Sequence, residues 1–253
     1  MITSVQNQQV KYILKLKKSG KERRKQGEFV VEGMRSVAEI PREAFVKAYA
    51  TTEYLKNHTD SFAGEVEEVS ESVMRQISDT KTPQGIVAIA RMPKYSLEFI
   101  LEREEGILLI LENIQDPGNL GTMIRTAEGA GAAGVVMSKD TVDIFNPKVT
   151  RATMGSIFRV PFLYVENLLD IIPKLHENGY MSFAAHLQGQ DIYEEDFRGK
   201  VAFFIGNEGN GLTDELTSQS KKKIKIPMEG RVESLNAAIA AALLMYETRR
   251  QNR

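Results

Sequence analysis

The 253-residue chain has no cysteine, which excludes disulfides and thiolate-bound metal; a reducing compartment fits that absence. Histidine is scarce. His58, His176 and His186 lie far apart and none belongs to a pattern such as H-E-x-x-H, so no metal is expected. Long hydrophobic runs are missing as well. In "MITSVQNQQVKYILKLKK" lysines interrupt every short apolar stretch, so a signal core is lacking, and "LNAAIAAALLMY" is too short to cross a bilayer. The expectation is a soluble cytoplasmic protein with no membrane partner. There is no internal repeat and no low-complexity segment. Net charge is nearly absent too, at −1, but it is spread unevenly.

What is present begins with that imbalance. Residues 1 to 27 carry eight Lys and Arg against the single acid Glu22, a balance of +7 that leaves −8 for the rest. A basic block on an otherwise acidic protein suggests contact with a polyanion. Charge alone does not separate that reading from a solvated helix face. Apolar residues at Val10, Ile13, Leu14 and Leu16 give the block helical spacing.

Apolar content of 42 % and charged content of 26 % are ordinary for a globular protein, and the length is comfortable for two domains. Strand-like runs "EFVVEG", "AFVKAYAT", "GEVEEVS" and "GIVAIARM" alternate with helical stretches over roughly the first ninety residues. This predicts a small α/β domain over 1–92, followed by a polar, proline-bearing linker over 93–105. Over 106–253 a more apolar alternation begins, with "ILLILE", "GVVMS", "VPFLYV", "YMSFAAH", "KVAFFIG" and "KIKIPM" as strands. Near-continuous apolar strands of this kind predict a mostly parallel sheet covered by helices on both faces.

"GAGAAG" at 129–134 matches the dinucleotide fingerprint G-x-G-x-x-G letter for letter. A helical pattern precedes it and a strand follows, the reverse of what pyrophosphate binding needs, so these glycines are expected to end a helix and turn into a strand. Three polar loops carry more. "NIQDPGNLGTMIRT" follows a strand, offers Asn119 as a helix N-cap and places Arg125 on the second helical turn. "IGNEGNGL" puts three glycines and Glu208 at the end of another strand, where α/β sheets bind ligands. "IPMEGRVESLNAAIA" leads through Ser234 and Asn236, either of which could cap, into an alanine-rich helix. Each alone reads as ordinary turn chemistry; all three at strand ends of one domain fit a single site.

These segments, in this order, resemble the three motifs of the SpoU (TrmH-type) RNA ribose methyltransferases of the SPOUT superfamily. "NPKVTRATMGSIFRVPF" is similar to the stretch that family carries between its first two motifs, and "FVVEGMRSV" and "TKTPQGIVAIA" to its substrate-binding domain. The resemblance implies an α/β SPOUT domain with a C-terminal trefoil knot, preceded by a small ribosomal-protein-like α/β domain. It implies methyl transfer from S-adenosylmethionine to a ribose 2′-hydroxyl of RNA, with a homodimer as the working form. By position, Arg125 becomes the principal catalytic residue, with Asn119, Glu208, Ser234 and Asn236 around the reacting centre. Gly206, Ile226, Met228 and Leu235 would bind the cofactor. Lys15, Lys18, Arg23 and Arg24 of the basic block become RNA contacts. Ribosomal RNA, specifically the large-subunit 23S species, is favoured over transfer RNA by fold-level analogy. A non-catalytic RNA-binding protein and a base-modifying SPOUT enzyme stay open as alternatives.

Overall fold

The computed structural model describes residues 1–58, 64–103 and 106–253. In chain order, helices α1 (Gln8–Lys18) and α2 (Gly20–Gln26) precede strand β1 (Glu28–Glu32), α3 (Met34–Ala38), β2 (Phe45–Thr51) and α4 (Thr52–Asn57). Next come β3 (Val66–Val69), α5 (Glu71–Ile77), β4 (Ile86–Arg91) and α6 (Leu97–Leu101). The chain continues through β5 (Gly106–Leu111), α7 (Pro117–Gly129), β6 (Gly134–Ser138), α8 (Pro147–Thr153) and β7 (Phe162–Val165). It ends with α9 (Ile172–Glu177), β8 (Met181–Asp191), β9 (Lys200–Ile205), α10 (Asp214–Ser218), β10 (Lys222–Lys225) and α11 (Ala237–Gln251). These elements form two compact units. Met1–Pro93 joins with Asp143–Phe158, and Lys94–Val142 joins with Arg159–Arg253.

The first unit is built on a four-stranded sheet of order β1-β4-β2-β3, in which only the β2–β3 pair is parallel. Val10, Ile13 and Leu16 recur at helical spacing on α1 and are buried in a cluster with Val30, Val73, Met74 and Val87. Residues 143–158 are part of this unit: the rings of Phe145 and Phe158 pack at a tilt against the fully buried Phe29, with centroids 4.8 and 5.7 Å away. Arg151 of α8 pairs with Glu32 at 3.3 Å and with Asp79 at 3.5 Å. This stretch, similar in sequence to the family's segment between its first two motifs and placed from sequence within 106–253, is therefore a structural member of the N-terminal unit. Long-range aromatic packing of this kind leaves no local sequence signature.

The second unit holds a six-stranded sheet of order β10-β8-β9-β5-β6-β7, parallel at every pairing. Its strands β5, β6 and β9 are buried along nearly their whole length, which explains their unbroken apolar sequences. The 93–105 stretch contains α6, whose Leu97, Ile100 and Leu101 are buried in the core of this unit; residues 104 and 105 lie outside the described residues. After α7, Gly131 adopts φ +66° and the chain turns into β6, as the reversed order around "GAGAAG" requires. Among the described residues no helix is long and apolar enough to cross a membrane, and no group of three or more His, Asp or Glu is placed to hold a metal.

Candidate active site

In the parallel sheet the chain runs outward from β5 through β6 to β7 on one side, while β9, β8 and β10 fill the other. The order reverses between β5 and β9, and in open α/β sheets ligands bind in the crevice beyond the strand ends at such a reversal. The first two motif loops follow β5 and β9, and the third follows β10.

The first loop is shaped by Asn113, which adopts a left-handed φ of 55° that Asn tolerates better than other side chains. Ser138, at the end of β6, holds it there: the Ser138 hydroxyl accepts from the Asn113 N–H at 2.8 Å and donates to Asn113 Oδ1 at 2.9 Å. Pro117 occupies the first helical position of α7, which makes Asp116 the N-cap; its carboxylate accepts from the Asn119 N–H at 2.8 Å. Asn119, expected to be the cap, thus lies one helical turn inside. The correction matters, because its side chain is left for other work.

That work begins at Glu208 in the second loop. One Glu208 oxygen accepts from the Gln115 N–H, the other from the Asp116 N–H and from Asn119 Nδ2, all at 3.0 Å. Burial works to raise the Glu208 carboxyl, but these three donors outweigh it and hold the group below the usual carboxylate range. A carboxylate only accepts, so Asn119 must present its amide nitrogen to it and turn its oxygen away. That oxygen accepts from Asn236 Nδ2 at 2.8 Å, and Asn236 Oδ1 caps α11 by accepting from the Ala238 N–H at 2.9 Å. A carboxylate at one end and a helix N-terminus at the other fix the direction of both amides.

Asn207 reinforces the junction. Its Nδ2 donates to the Asn113 carbonyl at 2.8 Å, while its Oδ1 gathers the N–H groups of Gly209 and Asn210. A Cβ on Gly206 would lie 2.1 Å from the Gly211 carbonyl carbon, so only glycine lets this loop close on itself. Asn207, Gln115 and Ser138 were not singled out from sequence. Their role depends on partners 25 to 94 positions away, and only the polar end of "GVVMS" hints at one of them.

The third loop is different in kind. Among the described residues, 228–235 form no hydrogen bond through backbone or side chain, while Ile226, Met228 and Leu235 are half-buried. Eight residues of unengaged backbone beside apolar side chains suit a ligand with an aromatic heterocycle, bound by main-chain hydrogen bonds and apolar contact. The adenosine of S-adenosylmethionine is of that type, so the residues fit the cofactor expected from sequence.

Of the expected catalytic residues, Asn119, Glu208 and Asn236 lie on one hydrogen-bonded chain. Arg125 is exposed on α7 and its side chain makes no hydrogen bond or ion pair with a described residue; Ser234 is exposed and likewise unengaged. Of the expected RNA contacts, Lys15, Lys18 and Arg24 are exposed. Arg23 is not: it is 4 % exposed and donates inward to the Leu16 and Lys17 carbonyls and to Asp143. Counting charges cannot tell an outward arginine from an inward one, and Arg23 is corrected to a structural cation.

Residues 106–246 match the model of the SpoU rRNA Methylase family, and residues 7–88 match an MRM3-like substrate binding domain. The chain is 35 % identical over 251 residues to the 23S rRNA (guanosine(2553)-2'-O)-methyltransferase RlmP of Bacillus subtilis, covering 98 % of each. It is 34 % identical over 183 residues to the 23S rRNA (guanosine-2'-O-)-methyltransferase RlmB of Ralstonia nicotianae, covering 70 % of this chain and 74 % of that one. An AdoMet-bound rRNA methyltransferase from Sinorhizobium meliloti superposes with a TM-score of 0.85 at 34 % identity, covering 98 % of this chain and 97 % of that one. With the strand-end loops joined as they are, this chain belongs to the SpoU rRNA methylase family.

Proposed function

We propose that this protein transfers the methyl group of S-adenosylmethionine to a ribose 2′-hydroxyl of large-subunit ribosomal RNA. The observation that carries the reading is the chain Glu208–Asn119–Asn236, which holds loops from three strand ends as one preorganised site. Large-subunit RNA is favoured because RlmP and RlmB, by name, act on guanosines of 23S rRNA.

When bound, S-adenosylmethionine supplies a methyl carbon already activated by its sulfonium. Gly206, Ile226, Met228 and Leu235 hold its adenosine through main-chain groups and apolar packing. Arg125, whose side chain has no partner among the described residues, grips the phosphate beside the target ribose and meets the negative charge that develops on the 2′-oxygen. Glu208, which accepts from three donors, orients Asn119, and the hydroxyl proton leaves to solvent water. Ser234 and Asn236 line the reacting centre. Lys15, Lys18 and Arg24 hold RNA phosphates irrespective of sequence, so binding weakens steeply with salt.

The division of labour is substrate recognition over 1–92 together with the returning segment 143–158, in a ribosomal-protein-like fold, and catalysis over the rest of 106–253, to whose core the 93–105 stretch contributes α6. The segment from β9 to α11 is read as a trefoil knot, as the family resemblance implies. A cytoplasmic homodimer is the working form, supported by the exposed apolar residues Ile239, Leu243 and Tyr246 at i, i+4 and i+7 of α11.

The deciding experiment incubates the protein with methyl-labelled S-adenosylmethionine and separated ribosomal and transfer RNAs from cells lacking it, followed by alkaline digestion. Label in alkali-resistant dinucleotides from 23S RNA is the expected result. Label in transfer RNA would move the substrate, and label only in mononucleotides would move the chemistry to a base.

A further inference from the structure

We propose that Arg23 and Asp143 are positioning residues for methyl transfer: their ion pair anchors the segment 143–158, and RNA held on α1 and α2 thereby sets the first motif loop. The inference rests on the reading that the basic helices bind RNA.

Arg23 spends its whole guanidinium inside the first unit. Nη1 donates to the Leu16 and Lys17 carbonyls at 2.6 and 3.1 Å, in the last turn of α1. Nε and Nη2 donate to Asp143 Oδ2 at 3.2 and 2.6 Å. The other Asp143 oxygen accepts from the Phe145 N–H at 2.9 Å. Gly20 leaves no slack, because a Cβ there would lie 3.0 Å from Asp143 Oδ2. Lys21, Arg24 and Lys25, around Arg23 in sequence, are exposed. A load on the outward cations of α2 is therefore borne by a seven-residue helix whose inward arginine grips Asp143.

A part-buried ion pair that only held the fold together would end the matter there. The course of the chain gives this one more. The peptide bond after Val142 is where the chain passes out of the second unit into the first. The Val142 N–H donates to the Ile114 carbonyl at 2.8 Å, and the Val142 carbonyl accepts from the Tyr164 hydroxyl at 2.6 Å. Ile114 immediately precedes Gln115 and Asp116, whose N–H groups hold Glu208. At the other exit, Arg159 grips Glu128 of α7 through two guanidinium nitrogens. Both ends of the 143–158 segment are thus fastened to the loop and helix that carry Asn119 and Arg125. A shift of this segment reaches both ends of that element through covalent chain and short hydrogen bonds.

The test is amide exchange on the full chain, with and without an RNA duplex of about two helical turns that has no acceptor nucleotide. In the unaltered protein the duplex is expected to slow exchange over α1–α2 and, by about tenfold, over residues 113–116. Asp143→Asn is expected to keep the first effect and lose the second, and to lower kcat with little change in KM for RNA. Where the single variant unfolds, the pair R23M/D143L, which leaves no unpaired charge, serves in its place. Equal slowing of 113–116 in protein and variant, or none in the unaltered protein, overturns the proposal. Absence of slowing over α1–α2 overturns it together with the RNA-binding reading beneath it. The labelling experiment above tests methylation separately.

Discussion

At the scale of single residues, the site separates groups that hold from groups that act. Among the described residues the Arg125 side chain has no partner to keep it, whereas Glu208 and Asn119 are engaged. Lysine keeps the charge of Arg125 but not its planar fork, so Arg125→Lys is expected to lower kcat by at least about tenfold with cofactor affinity unchanged; single-turnover kinetics and calorimetry check this. Glu32 illustrates holding alone. Burial works to raise its carboxyl, but the Ser78 hydroxyl, the Asp79 N–H, the Thr80 hydroxyl and then Arg151 bring it below the usual range. A carboxyl depressed in the folded state contributes stability that is complete at neutral pH and disappears as pH falls below the ordinary glutamate value of about 4.3. Glu32→Gln is therefore expected to be less stable than the unaltered protein at pH 7, and to lose less on acidification from pH 5; denaturant titrations across that range check it.

At the scale of elements, the sequence was most readable where a pattern is local. The unbroken apolar strands and the helical spacing on α1 each follow from a few neighbouring residues and are found, and of the two caps open to α11, Ser234 and Asn236, the second is used. One reading failed by a turn where chemistry competed: Pro117 moved the start of α7 ahead of Asn119. The joining of the three loops was legible only as three polar strand ends, because its hydrogen bonds span about a hundred residues. Helix α11 has two faces: Ala238, Ala241, Leu244 and Met245 are buried, while Ile239, Leu243 and Tyr246 are 50, 38 and 53 % exposed. If the second stripe is a dimer surface, Leu243→Arg converts dimer to monomer in sedimentation at micromolar concentration without lowering the melting temperature of the monomer. An unchanged dimer would place the interface elsewhere.

At the scale of the whole molecule, the two compact units are not two consecutive pieces of sequence, because 143–158 is returned to the first. A fragment ending at residue 93 would expose the face of Phe29 that Phe145 and Phe158 cover and leave the Arg23 guanidinium without Asp143. Burial of large aromatic side chains is worth about 1.5–3 kcal/mol each, a sizeable share of a small domain's stability of about 5–15 kcal/mol. Residues 1–93 alone are expected to lack a cooperative thermal transition, and the same fragment fused to 143–158 to regain one. The arrangement also bears on how such a protein can change over generations. Exchange of substrate-recognition halves between relatives by one genetic crossover near codon 93 would set a foreign Phe29 and Arg23 against a resident Phe145, Phe158 and Asp143. A successful recombinant must import both stretches at once, or inherit a mismatch that later substitutions have to repair.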